Sequence, residues 1–128
     1  MPATVKAHQA LQKADKLLIE VMYKADYCLL CYYMDEAVRE VLPRYEEKIV
    51  YKRVHFMTQE GGKRFLELSK SLYGEEGVVK HRRLAPVPSL FIEGELVFDM
   101  IPTRDELEEA IEEALERHES RFPDRSEE

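Results

Sequence analysis

The chain has 128 residues, of which 45% are hydrophobic and 35% charged, and its formal net charge is −7. This length suits one domain with a single core, and the acidic balance argues against general binding to nucleic acids or anionic membranes. No apolar run approaches the roughly 18 residues that a membrane span needs. The first eight residues lack the apolar core of a signal peptide, so we predict a cytoplasmic protein.

The first third of the chain predicts a helix, a strand and a second helix. Residues 4–14 contain no Gly or Pro and favour a short N-terminal helix. The apolar, β-branched run at 17–23 predicts a buried strand, followed by a turn at 24–28. Apolar residues at helical spacing then predict a helix that Pro43 closes at about Leu42, because the residue before a proline avoids the α region.

The middle of the chain predicts an edge strand and another helix. Residues 48–56 combine apolar residues with Lys52 and Arg53, which suits a strand at the edge of a sheet. Helical spacing follows over 63–73, and the glycine-bearing segment 74–77 is predicted to break that helix. Residues 78–88 are predicted to form a long connection.

The last third predicts a hairpin and a terminal helix. Residues 89–92 and 96–98 are apolar and flank a turn that contains glycine, which is typical of an antiparallel hairpin. Thr103 and Glu106 have the spacing of a capping box, and the helix that follows has a regular apolar face.

The predicted elements follow the order β-α-β-α-β-β-α after the N-terminal helix. This order predicts an α/β fold with a four-stranded mixed sheet and helices on both faces. We assign residues 1–118 to a single domain and residues 119–128 to a polar C-terminal tail.

The only two cysteines, Cys28 and Cys31, lie where the first predicted strand passes into a helix. The free N–H groups and the dipole at a helix N-terminus stabilise an anion, so a thiolate is favoured there. We therefore predict a redox-active pair. In it Cys28 is the exposed nucleophile and Cys31, one turn further on, is the buried resolving thiol.

Two segments resemble the thioredoxin-like superfamily. The first is Cys28-Leu29-Leu30-Cys31 at a strand–helix junction, and the second is Val87-Pro88-Ser89-Leu90-Phe91-Ile92, which is similar to the family's apolar-Pro-Thr/Ser entry into a core strand. The resemblance covers roughly residues 17–117. It implies a thioredoxin-like fold, a cis Pro88 facing the cysteines and the activity of a thiol–disulfide oxidoreductase in electron transport.

The chain also departs from the family's pattern near the cysteines. The Leu29-Leu30 dipeptide is neither the Gly-Pro nor the Pro-Tyr of well-known members, and Tyr27 replaces the usual tryptophan. Met22 occupies the position where thioredoxins carry a buried acid. With no His or Pro between the cysteines, we expect the helix end to supply most of the thiolate stabilisation and the couple to be reducing.

An apolar substrate surface is predicted around the pair, formed by Tyr27, Leu29, Leu30, Val87 and Pro88. The expected partners are a protein disulfide, a reductase or glutathione, with no nucleic acid, no membrane and no cofactor beyond the Cys28–Cys31 disulfide. The basic run Lys80-His81-Arg82-Arg83 either lies near this surface, where it would attract an acidic partner, or is a solvated loop.

Two other functions are compatible with the sequence. A thioredoxin-like module could bind partners through the same surface without catalysis. Alternatively, two CxxC pairs shared across a dimer could bind zinc or an iron–sulfur cluster, although the four histidines do not have ligand spacing and we predict no metal. The sequence predicts no oligomeric state.

Overall fold

The computed structural model describes residues 16–121, with side chains described through residue 119. The strands are β1 Leu17–Tyr23, β2 Ile49–His55, β3 Ser89–Ile92 and β4 Glu95–Phe98, and the helices are α1 Leu29–Tyr45, α2 Gln59–Val79 and α3 Arg104–Arg121. The helix predicted over 4–14 and the end of the tail at 122–128 lie outside the described residues.

The four strands form one mixed sheet in the order β2-β1-β3-β4. β1 is parallel to β2 and antiparallel to β3, and β3 is antiparallel to β4. The predicted mixed α/β architecture and the edge position of β2 are therefore confirmed. In this register Tyr23, His55, Ser89 and Phe98 all lie at one end of the sheet, which we call the Tyr23 end.

The two faces of β1 build two separate cores. Leu17, Ile19 and Val21 pack with α1 and α3, whereas Met22 packs with Phe65 and its neighbours on α2. Successive side chains of a strand point to opposite faces, and here both faces are covered. This is why β1 is an almost continuous apolar run, and why helices lie on both faces as predicted.

The prediction that Pro43 ends the first helix is wrong. Pro43 lies inside α1, which continues to Tyr45. Tyr45 is buried and its hydroxyl donates to Glu112 on α3 at 2.6 Å, while Arg44 donates to Glu108 at 3.1 Å. These contacts with α3 hold the last turn of α1 in place, so packing overrides the local preference of the residue before proline.

The second helix is longer than predicted at both ends. It begins at Gln59, where the Thr58 side chain accepts from the Gly61 backbone N–H at 3.0 Å. The chain leaves the helical region at Gly74 (φ 77°, ψ 164°) but resumes it and buries Val78 before the helix ends at Val79. The predicted break at Gly74 is therefore confirmed, and a second helical segment follows it to Val79, although the connection was predicted to begin at residue 78.

The hairpin and the capping box form as predicted. Glu93 and Gly94 both have positive φ angles, 51° and 81°, as a two-residue hairpin turn with the twist of its strands requires. The Thr103 backbone N–H donates to Glu106 Oε1 at 2.9 Å, and the Glu106 N–H donates to Thr103 Oγ1 at 3.2 Å. Hydrogen bonding to the Thr103 backbone, and then to the Thr103 side chain, holds the pKa of the Glu106 carboxyl below its usual value. The helix that they open runs through Arg121.

Candidate functional site

The cysteine pair lies at the Tyr23 end of the sheet, at the start of α1. Cys28 is the N-cap residue in an extended conformation, and its backbone N–H donates to the Ala25 carbonyl at 3.0 Å. Its Sγ accepts a hydrogen bond from the Cys31 backbone N–H at 3.3 Å. One of the donors that a helix N-terminus leaves unpaired is thus satisfied by sulfur, which is the arrangement that favours a thiolate.

The two sulfurs lie at disulfide distance, and the Cα atoms of Cys28 and Cys31 are 5.3 Å apart, within the usual range for a disulfide. Cys28 is half-buried, whereas Cys31 is fully buried. The predicted difference in exposure is therefore present. A partner can approach one sulfur while the other is shielded behind it.

Pro88 lies at the same end of the sheet as the cysteines. The Val87–Pro88 peptide bond is cis, as the resemblance implies, and the next residue, Ser89, pairs with Met22 near the end of β1. Pro88 is buried and Val87 is half-buried. The segment therefore exposes little side-chain area to a partner protein that binds at the surface.

Most of the exposed apolar area comes from the residues next to the cysteines. The exposed fractions are 76% for Tyr27, 61% for Leu29 and 58% for Leu30. Contiguous exposed apolar patches on a protein surface often mark interaction sites. The five residues of the predicted surface thus divide into three exposed ones beside Cys28 and two that are more buried near the cis bond.

The structure adds apolar residues that sequence reasoning missed. Met57 follows β2, and Met100 and Ile101 follow β4, so all three come from loops at the Tyr23 end, and all three are exposed. Tyr33 on α1 and Ile101 line a common groove of about 620 Å³. The predicted order of the strands could have identified these residues, because the loops after β2 and β4 must emerge at the end of the sheet where α1 begins.

A buried carboxylate lies one helical turn beyond Cys31. Asp35 is 3% exposed and accepts from the Tyr51 hydroxyl at 2.5 Å. It also pairs with Arg39 Nε at 3.0 Å and lies 3.7 Å from Arg53 Nη1. Burial, and then the bond to Asp35, raises the pKa of Tyr51 far above its ordinary value. The Asp35 carboxylate likewise raises the pKa of the Arg39 guanidinium.

Tyr23 connects this carboxylate with the turn that carries Cys28. Its hydroxyl donates to Asp26 Oδ1 at 2.9 Å, and the Arg53 guanidinium lies 4.9 Å from the centre of its ring. The His55 ring packs edge-on at 5.1 Å between centroids. Burial, reinforced by Asp26, raises the pKa of Tyr23. Sequence reasoning missed this cluster, because its members come from separate elements.

The residue that the resemblance would align with the buried acid of thioredoxins is apolar. Met22 is fully buried there, and the nearest carboxylate on that face of β1 is Glu20, two residues earlier. Arg64 on α2 holds both oxygens of Glu20, each at 2.7 Å. This bond is the main cause of the raised pKa of Arg64.

The basic run Lys80–Arg83 makes its described contacts with α2. Lys80 pairs with Glu76 at 3.7 Å, and the Arg83 N–H donates to the Gly77 carbonyl at 3.0 Å. Among the described residues, no hydrogen bond or ion pair joins this run to residues 27–32. Its four exposed residues fit the alternative of a solvated loop.

Among residues 16–119, no group of three or more His, Cys, Asp or Glu side chains could hold a metal ion. No helix within the described part of the chain is both long and apolar enough to cross a bilayer. Comparison of the sequence with protein-family models and with curated proteins found no significant match.

Proposed function

We propose that this chain is a thiol–disulfide oxidoreductase with a thioredoxin-like fold. The observation that carries the proposal is the position of the pair, with a half-buried Cys28 capping α1 and a fully buried Cys31 bonded to it. The order of the strands and the cis bond before Pro88 also support the likeness to that superfamily.

The reaction is an exchange of disulfides. The Cys28 thiolate attacks one sulfur of a partner's disulfide, so that a mixed disulfide forms and the other partner sulfur leaves as a thiolate that takes a proton from solvent. Cys31 then loses its proton and attacks Cys28 Sγ, which forms the Cys28–Cys31 disulfide and releases the partner's second thiolate. The partner gains two electrons and the pair loses two. An external thiol, such as glutathione or a reductase, restores the dithiol.

The local structure assists two parts of this reaction. The Cys31 N–H, 3.3 Å from Cys28 Sγ, together with the helix dipole, favours the attacking thiolate. The exposed side chains of Tyr27, Leu29 and Leu30 offer an apolar contact for a partner segment, to which the half-buried Val87 and the buried Pro88 add little side-chain area. These features favour protein partners with apolar residues next to their disulfide.

A second candidate is a binding module without catalysis. The exposed apolar residues beside Cys28 favour it, because they would serve a docked partner whether or not sulfur chemistry follows. Redox titration of the pair against glutathione, with thiols counted by alkylation and mass spectrometry, separates the two candidates. The oxidoreductase should show a reversible two-electron transition, and Cys31→Ser should accumulate mixed disulfides with partner proteins.

The matched control is Cys28→Ser, which keeps the surface and removes the nucleophile. It should trap no partner, whereas Cys31→Ser traps several. If the wild-type pair does not exchange with glutathione or dithiothreitol, and Cys28→Ser still binds partners fully, the module without catalysis is the better description. A stoichiometric metal in protein purified without chelators, lost in Cys31→Ser, would instead support metal binding by CxxC pairs shared between chains.

A further inference from the structure

Two carboxylates flank the cysteine pair, one on each side along the chain. Asp26 lies two residues before Cys28, and Asp35 lies four residues after Cys31 on the buried face of α1. Residues four apart in a helix have Cβ atoms about 6 Å apart. Negative charge at these positions disfavours a thiolate at the pair.

Arg53, on β2, lies between the two carboxylates. Its Nη1 is 3.7 Å from Asp35 Oδ2, and its guanidinium lies 4.9 Å from the ring centre of Tyr23, whose hydroxyl holds Asp26. A continuous series of contacts thus runs from the second turn of α1 through β2 to the turn that carries Cys28.

The surroundings leave these charges only partly screened. The Asp35 side chain is 4% exposed and that of Arg53 is 32% exposed, whereas Arg39, the other cation paired with Asp35, is 54% exposed and faces solvent. His55 packs against the Tyr23 ring, and the exposed Lys24, which follows Tyr23 in the chain, has its Nζ 5.8 Å from the centre of the Tyr27 ring. Charges in a partly desolvated site act over longer distances than charges in water.

We propose that Arg53 and Asp35 are positioning residues whose charges set, in opposite directions, the reduction potential of the Cys28–Cys31 pair. The inference rests on the proposed function, since it concerns the same pair. Neither residue transfers a proton or touches the substrate. Both act through the electrostatic environment of the thiolate.

The sign follows from the half-reaction. Reduction of the disulfide takes up two electrons and two protons, and at a pH where Cys28 is ionised the dithiol releases one of those protons. Whatever stabilises the thiolate stabilises the reduced form, so it makes the pair more oxidising. Removal of the Asp35 charge should therefore make the pair more oxidising, and removal of the Arg53 charge should make it more reducing.

The test compares Asp35→Asn, Arg53→Gln and Arg53→Lys with the wild type. The readouts are the equilibrium constant with glutathione and the pH dependence of Cys28 alkylation by iodoacetamide. A unit charge about 10 Å away at an effective dielectric of roughly 40 should move the pKa of the Cys28 thiol by about half a pH unit, or about threefold in the equilibrium constant. Asp35→Asn should lower that pKa, Arg53→Gln should raise it, and Arg53→Lys should stay near wild type.

Tyr51→Phe is the matched structural control, because it removes the 2.5 Å bond to Asp35 without changing charge. It should lower the free energy of unfolding and leave the potential near wild type. If Asp35→Asn does not fold, the two Arg53 variants decide the question alone. Shifts in the same direction for Asp35→Asn and Arg53→Gln, or no shift in Arg53→Gln, would overturn this inference while the proposed function stands. If the wild-type pair does not exchange with glutathione at all, both this inference and the proposed function are wrong.

Discussion

The ion pair between Glu20 and Arg64 gives the sharpest stability prediction. Glu20 lies in the central strand β1 and is 3% exposed, and both of its oxygens are 2.7 Å from Arg64 nitrogens. Removing one partner of a fully buried pair costs about 3–5 kcal/mol, because a charge is left without compensation. The Arg64 side chain is 37% exposed, so water can reach the site, and we expect Arg64→Met to lose about 2–3 kcal/mol of unfolding free energy.

The double variant separates loss of the pair from loss of packing. When both charges are replaced, as in Glu20→Leu with Arg64→Met, no buried charge is left unpaired, and the loss should be below about 1 kcal/mol. Arg64 also donates to Glu67 at 3.2 Å, a 66% exposed carboxylate. Glu67→Gln is the matched control for that contact and should change stability by less than about 0.5 kcal/mol.

Urea denaturation followed by circular dichroism measures these differences, provided that the m-values agree among the variants. The wild type, the single variants Arg64→Met and Glu20→Leu, and the double variant form a double-mutant cycle, whose coupling energy isolates the pair. A loss below about 0.5 kcal/mol in Arg64→Met, or a double variant as unstable as that single variant, would show that the buried carboxylate does not depend on the arginine.

Two further predictions concern a glycine and a buried tyrosine. Gly61→Ala should lower the melting temperature, although such a change usually stabilises a helix, because the new Cβ would overlap the His55 carbonyl; Gly62→Ala, whose nearest heavy atom would be 3.1 Å away, should be milder. Burial raises the pKa of Tyr45 to about 12, with the bond to Glu112 second, so its contribution to stability is complete below about pH 10 and is lost as the pH rises towards 12. Tyr45→Phe should therefore lose less unfolding free energy than the wild type between pH 9 and 11, and an equal loss in both proteins would contradict the assignment.

Elements with local signals could be predicted from the sequence. The turn at Glu93-Gly94 and the capping box at Thr103 depend on residues no more than three positions apart, and both form. The strand–helix junction at Cys28 is local in the same sense, since the N-cap position and the first turn of α1 are adjacent in the chain.

Elements decided by distant contacts could not be predicted in this way. The last turn of α1 persists past Pro43 because Tyr45 reaches α3, more than 60 residues later. The segment after Gly74 regains helical structure and buries Val78, although the glycine signals an end. In both cases a modest local preference is outweighed by burial that only the tertiary fold supplies.

The residues of the candidate site differ in the same way in how far the sequence could predict them. The pair and the apolar residues beside it are contiguous in the chain, so their pattern was visible. The cluster formed by Asp35, Tyr51 and Arg53 could not be predicted from the sequence, because an acidic residue on a helix and polar residues on an edge strand usually face solvent. Only the register of β2 against β1 brings the Arg53 guanidinium against the Tyr23 ring and brings the Tyr51 hydroxyl to Asp35 on α1.

The distribution of buried charge supports the proposal that Arg53 and Asp35 act on the cysteine pair. Met22 is apolar and so supplies no charge near the cysteines, and Glu20, on the α2 face of the sheet, is neutralised by Arg64. On the other face, Asp35 is one turn from Cys31 and is paired with both Arg39 and Arg53, and Arg53 also contacts Tyr23, whose hydroxyl donates to Asp26 in the cysteine turn. Charge near the sulfurs therefore depends on residues on the face of the sheet that α1 covers. A change at Arg53 should affect the cysteines, whereas a change at Arg64 should affect only stability.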